Sequence, residues 1–224
     1  MSDAPQFPTE PLPGPTAAPV ITGYGAVTAH GSGVEPMWAA LAEGRSPATD
    51  WSPDDGLETF RAGPIPDDYR PHTRIPRNLV HFLDRGSMVG LDAALQAVEA
   101  AGLTAGIADS RRFAVADGLA FRAPGQATLF VPYGQLVART LGVRGAVVGL
   151  SGAEASGLAA VAEAAAIVAR GEADVVVAGA AQALQAPVLA HLSQQGLVAS
   201  EHAHPLDAHP DGRIPAEGAS NVGV

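Results

Sequence analysis

The sequence predicts an α/β fold, a mostly parallel five-stranded sheet carrying helices on both faces. Three observations predict it. Short apolar, β-branched segments alternate with longer helical ones from residue 19 onward. Glycines stand where two of the longer helical segments stop, at Gly102 and Gly171. The 224 residues, 47% of them hydrophobic, supply one substantial core and therefore one domain.

The elements follow in order. Residues 1–19 contain Pro5, Pro8, Pro11, Pro13, Pro15 and Pro19, which disfavour helix and sheet, so an extended, disordered leader is expected ahead of a single domain at 20–224. Residues 19–23 read as a buried strand and 36–42 as a short helix. The run 90–101 reads as an amphipathic helix stopped by Gly102. A second strand is expected at 113–116, a helix at 131–141 and a third strand at 146–150. A helix from about 153 to 170, closed by Gly171, follows. The pattern then gives a strand at 174–178, a helix at 187–195 and a fifth strand at 219–224.

Charge and composition exclude several classes. The 23 acidic residues against 13 basic ones give a net charge of −10 without a basic cluster, which argues against nucleic acid or an anionic membrane as partner. With no cysteine there is neither a disulfide nor a thiol nucleophile. No long apolar span and no charged-then-apolar N-terminus occur, so neither a membrane helix nor a signal peptide is expected, and the cytoplasm is the default location. His202, His204 and His209, with Asp207 and Asp211, have a spacing that could bind zinc. A solvated polar loop is the favoured reading of that stretch, so no metal and no cofactor are expected. His30, His72, His81 and His191 are scattered, although Asp84 lies one helical turn beyond His81.

Several stretches carry a resemblance. Val20-Ile21-Thr22-Gly23-Tyr24-Gly25-Ala26-Val27-Thr28 is followed by Trp38, Leu41, Gly44 and Ser46 and by Asp84-Arg85. Further on come Gly152-Ala153-Glu154-Ala155-Ser156-Gly157-Leu158 and then 170–179, R-G-E-A-D-V-V-V-A-G. Pro205-Leu206-Asp207, Asp211-Gly212 and Glu217-Gly218-Ala219 complete the series. In this order they resemble the opening V-I-T-G-x-G-A-V-T, the W-x-x-L-x-x-G-x-S, the M-D-R-F, the T-A-C-A-S-G-L elbow, the R-G-E-A-D-x-x-x-A-G and the P-F-D-x-x-R-D-G-F…G-E-G-A of β-ketoacyl synthases. The resemblance implies the N-terminal half of a thiolase-like fold. It also implies that Val224 falls where a second half, with the family's catalytic histidines, lysine and glycine pair, would begin. The segment between Gly118 and Gly134 is shorter than in full-length synthases, which puts the family's acyl pocket in doubt.

The same resemblance makes Glu154 the most informative residue. It stands where the family has its cysteine nucleophile, at a strand-to-helix turn whose free N–H groups favour a thiolate. A carboxylate is also at ease there and stays ionised. Attack by Glu154 on an acyl thioester would give an unfavourable anhydride, and its charge would repel a malonyl carboxylate. Related chain-length factors and decarboxylating synthases carry a glutamine at this place. Ser151 and Ser156 flank the elbow, Ser156 as the serine of the A-S-G packing turn, and no histidine is near in sequence to activate either.

Two functions are weighed on this basis. One is a non-catalytic, chain-length-factor-like subunit that pairs with a full-length ketosynthase or with itself, in contact with an acyl carrier protein. The alternative is a small decarboxylase, thioesterase or dehydratase acting on carrier-bound acyl groups through Glu154; a gene remnant without a task is the bland reading. The strand at 146–150 corresponds to the family's subunit-pairing edge. The helix that follows is apolar nearly all round between Leu158 and Ala169, so a cover for it is expected.

Overall fold

The computed structural model describes residues 18–53, 58–72, 75, 83–103, 109–119, 133–199, 203–204, 207–209 and 211–224. Most of the proline-rich leader, His81, His202 and the bulk of the segment between Gly118 and Gly134 lie outside the described residues.

One six-stranded sheet organises the chain. Its strands are β1 (Gly23–Thr28), β2 (Gly31–Ser32), β5 (Phe113–Leu119), β6 (Val147–Leu150), β7 (Val175–Gln182) and β8 (Gly218–Gly223), in the order β2-β1-β8-β7-β5-β6. A separate antiparallel hairpin joins β3 (Thr49–Trp51) to β4 (Phe60–Ala62). The helices are α1 (Val34–Ala42), α2 (Arg85–Ala100), α3 (Tyr133–Leu141), α4 (Ser156–Ala169) and α5 (Ala186–Gln194).

The α/β class and helices on both faces are as expected; the sheet itself needs correction. Among the described residues it has six strands rather than five, and only the pairs β5–β6 and β5–β7 are parallel. Strand β8 lies between β1 and β7 and is antiparallel to both, and β2 folds back on β1. Strands β1, β5, β6 and β7 do share one direction. The alternation of apolar segments carries no record of the end from which a strand enters. Here Arg213, shortly before β8, lies against Glu154 at the end where β6 finishes, so β8 enters from that end.

The first strand is also displaced, to Gly23–Thr28 instead of 19–23. Its glycines look like strand breakers but are required by packing. A Cβ on Gly25 would sit 2.2 Å from the carbonyl oxygen of Ala93, and one on Gly23 2.3 Å from that of Ala97, so α2 lies directly on the backbone of β1. Helix α2 starts earlier than its apolar periodicity suggests because the Asp84 carboxylate accepts from the Ser87 N–H at 2.9 Å, a cap on the first turn.

Helices α2 and α3 cover one face, with Leu91, Leu95, Val98 and Val137 packed on Phe113, Val115 and Val177. A buried polar link crosses this layer. The Tyr133 hydroxyl donates to Asn221 Oδ1 at 2.8 Å, and Asn221 Nδ2 donates to the Gly90 carbonyl at 3.2 Å, joining α3, β8 and α2. Burial raises the Tyr133 pKa, so the phenol keeps its proton. On the other face α4 sets Ala160, Ala164 and Ile167 against Ala114, Ala116, Val176 and Ala178. That contact buries one stripe of an apolar helix; Leu158, 79% exposed, points away from it.

Candidate functional site

The elbow after β6 is built from backbone geometry. Leu150 ends the strand, residues 153–155 make a single 3-10 turn, and α4 starts at Ser156. Ala153 carries φ of +49°, a left-handed conformation uncommon for a side chain with a Cβ, so the turn is held by its surroundings. Ser156 does part of the holding. Its buried hydroxyl accepts from the Gly152 N–H at 2.9 Å and donates to the Ala153 carbonyl at 2.7 Å. Gly118 of β5 completes the seat, because a Cβ there would meet the Ser156 carbonyl oxygen at 2.6 Å. Ser151 is exposed beside the turn.

Glu154 projects from the turn with 58% of its side chain exposed and is ion-paired to Arg213, whose Nη1 donates to Oε1 at 2.8 Å. This hydrogen bond, and a second one from its own backbone amide, hold the Glu154 carboxyl below the usual carboxylate range. Arg213 is fixed by its main chain. Its N–H donates to the Leu197 carbonyl at 3.0 Å and its carbonyl accepts from Ala199 at 2.9 Å. Sequence reasoning missed this partner. The available signal is that Asp211-Gly212 is followed by arginine where the stretch quoted above has phenylalanine.

Next to the pair lies an apolar cavity of about 520 Å³. It opens between the elbow, the end of β7, helix α5 and the start of β8, with Ala180, Leu184, Val188, Leu189 and Leu192 among its walls. Among the described residues, Glu154 and Arg213 are the charged side chains on its lining. The wall segments are tied together by one buried carboxylate. Glu217 receives Arg85 Nε at 2.8 Å on both oxygens, the Ile65 N–H at 2.9 Å and the Leu184 N–H at 3.3 Å. Arg85 Nη2 also reaches the Ile65 carbonyl at 3.0 Å, so the loop after β4, α2, the end of β7 and β8 meet at one point.

The described histidines are not brought together into a metal site. His204 and His209 are exposed on the loop before β8, and the His209 N–H is donated to Asp207 Oδ1 at 2.9 Å. Among the described residues no group of three or more histidine, aspartate or glutamate side chains could hold a metal ion. His72 Nε2 lies 3.0 Å from Glu99, remote from the elbow in sequence and on the α2 face. No helix among the described residues is long and apolar enough to cross a membrane.

Comparison with known proteins places this geometry. Residues 18–223 match the family model described as the β-ketoacyl synthase N-terminal domain. The chain is similar to nodulation protein E of Rhizobium leguminosarum bv. trifolii, 29% identical over 230 residues that cover 89% of this chain and 56% of that protein. Among solved structures it is similar to a β-ketoacyl synthase from Burkholderia phymatum STM815, with a TM-score of 0.77, 27% identity, and coverage of 91% of this chain and 58% of that one. A ketosynthase in complex with its chain length factor, from Xenorhabdus doucetiae, shares the fold with a TM-score of 0.76 at 16% identity, covering 91% of this chain and 56% of that one. The chain thus spans a little over half the length of these relatives.

Proposed function

This chain belongs to the β-ketoacyl synthase family, and we propose that it serves there as a non-catalytic, ketosynthase-like subunit of polyketide or fatty acid biosynthesis. It pairs with a competent synthase, or with a second copy of itself, in reach of an acyl carrier protein. The observation that carries this reading is the Glu154–Arg213 ion pair at the elbow. Where the family's motif has a thiol, this elbow has a carboxylate whose charge is already engaged by a guanidinium, and the 224 residues contain no cysteine to replace it. A carboxylate held below its usual range is a poor nucleophile toward a thioester and a poor general base at neutral pH, which weighs against the alternative of a small enzyme working through Glu154.

Two surfaces support pairing. The outer edge of β6 has no strand beside it among the described residues, and the outward side of α4 exposes Leu158. The test has two arms. Intact mass after incubation with an acyl thioester should show no adduct, and a tagged chain co-expressed with a full-length ketosynthase should retain it at a fixed ratio. A stoichiometric acyl adduct on Glu154 or a serine would overturn the non-catalytic part, and a monomer indifferent to the synthase the subunit part.

A further inference from the structure

The apolar side chains left in water gather on two neighbouring elements. Five of the seven large hydrophobic side chains exposed among the described residues, Val20, Ile21, Tyr24, Trp38 and Leu41, belong to α1, to β1 and to the residues just ahead of β1. The two elements touch, and the Gly33 N–H at the head of α1 donates to the Ala26 carbonyl of β1 at 2.7 Å. Helix α2 sits on Gly23 and Gly25, so Tyr24 points from the opposite face of the strand. Trp38 and Leu41 are three residues apart and share one side of α1, Trp38 with 65% of its surface in water while Ala40 is fully buried. An exposed indole and phenol among aliphatic neighbours are the kind of surface on which proline-rich segments dock, and an apolar patch of this kind marks an interface.

The preceding stretch of the chain suits that surface. Residues 1–17, outside the described residues, run directly into Ala18 and so to Val20. They hold Pro5, Pro8, Pro11, Pro13 and Pro15 together with Phe7 and Leu12, and no lysine or arginine. Pro5, Pro8 and Pro11 recur every third residue, the period that sets them on one edge of a polyproline II helix. Seventeen residues at about 3.1 Å each reach roughly 50 Å. The nine-residue α1 is only about 14 Å long. Attachment beside the patch gives the leader an effective concentration there on the order of millimolar, and its prolines lower the entropy lost on docking. We propose that residues 1–17 of the same chain cover this patch, laid extended along α1 and β1 with a proline ring on the Trp38 indole. The inference is independent of the subunit reading, whose surfaces are the outer edge of β6 and the outward side of α4.

The chain has no cysteine, so Thr9→Cys supplies a single thiol for a bimane label, a fluorophore that an indole quenches on contact. In the full chain the label should be at least twofold dimmer than when Trp38→Phe is added, while Trp51→Phe should leave the quench in place. Trp38 is exposed, so its replacement should keep the fold intact, which circular dichroism checks. Leu41→Ser keeps the indole but breaks the patch, and the triple change Pro5→Ser, Pro8→Ser and Pro11→Ser removes the proline edge. Each should abolish at least half of the quench, which chance collisions of a tethered label would not lose. The quench should also hold on dilution over about two decades of concentration, as an intramolecular contact must. Equal emission with and without Trp38 would overturn the proposal and leave the patch to a separate partner. A quench unmoved by both the Leu41 and the proline changes would overturn it as well, and a quench lost on dilution would give the patch to a second copy instead.

Discussion

Arg213 and Glu154 are 59 residues apart in sequence and 2.8 Å apart in space, a single hydrogen bond that fastens the segment leading into β8 to the turn leaving β6. It joins the two segments that frame the cavity mouth. Because both side chains are partly exposed, the bond sets local charge more than it sets global stability.

The first prediction follows from that exposure. Glu154→Gln should move the thermal midpoint by no more than about 2 °C at neutral pH. The folded-state pKa of Glu154 is depressed, so whatever the pair contributes is present above the unfolded-state value and is lost as pH falls through the folded one. Parent and variant should therefore converge in stability as the pH drops below about 4.5, the ordinary glutamate value. Melting curves between pH 3 and pH 7 at low salt check it, and a difference that grows toward acid would be the wrong sign.

Glu217 should behave differently. It is 6% exposed and gathers Arg85, the Ile65 N–H and the Leu184 N–H, so Glu217→Ala leaves several groups without their acceptor. A loss of about 2–4 kcal/mol in chemical denaturation is expected, less than for a fully buried pair because Arg85 remains partly in water. Glu217→Gln, which keeps a carbonyl oxygen, should recover part of it.

How far the sequence speaks is clear from these residues. The elbow is legible through its resemblance to the T-A-C-A-S-G-L motif of β-ketoacyl synthases, because the residues that carry it are contiguous in the chain, Gly152 to Leu158. Arg213 is not, since only the return of the chain beside β6 brings it to the elbow. Helix α2 is legible from its apolar periodicity, α4 from its long apolar run, and both from the glycines that end them, Gly102 at φ +71° and Gly171 at φ +70°. Strand β1 is misplaced because Gly23 and Gly25 read as punctuation, whereas they are smooth seats for α2. Strand direction fails for a different reason. The segments of β7 and β8 read the same whichever way they run, and direction is decided by where the intervening chain packs.

Gly25 gives a third prediction. Gly25→Ala would drive a methyl into the Ala93 carbonyl and the Gln96 side chain, at 2.2 and 2.5 Å before any relaxation. Helix α2 must lift from β1, opening the layer around Val27, Val89 and Ala93. A destabilisation of at least about 2 kcal/mol is expected in urea unfolding. The same change at Gly102, which has open space around it but φ of +71°, should cost only about 1 kcal/mol from the left-handed backbone.

The last prediction bears on pairing. Leu158 is 79% exposed at the start of α4 while Ala160, Ala164 and Ile167 face the sheet, so a charge at 158 touches no packing of the folded chain. Leu158→Glu should therefore keep the melting midpoint of the isolated chain within about 2 °C. If α4 is the face that a synthase or a second copy covers, the same substitution buries an unpaired carboxylate in that interface and should weaken association by at least tenfold. Light scattering of the isolated chain, and co-purification with a full-length ketosynthase, read the two effects separately. Association unchanged by Leu158→Glu would move the pairing surface away from α4 and leave the open edge of β6 as the place to look.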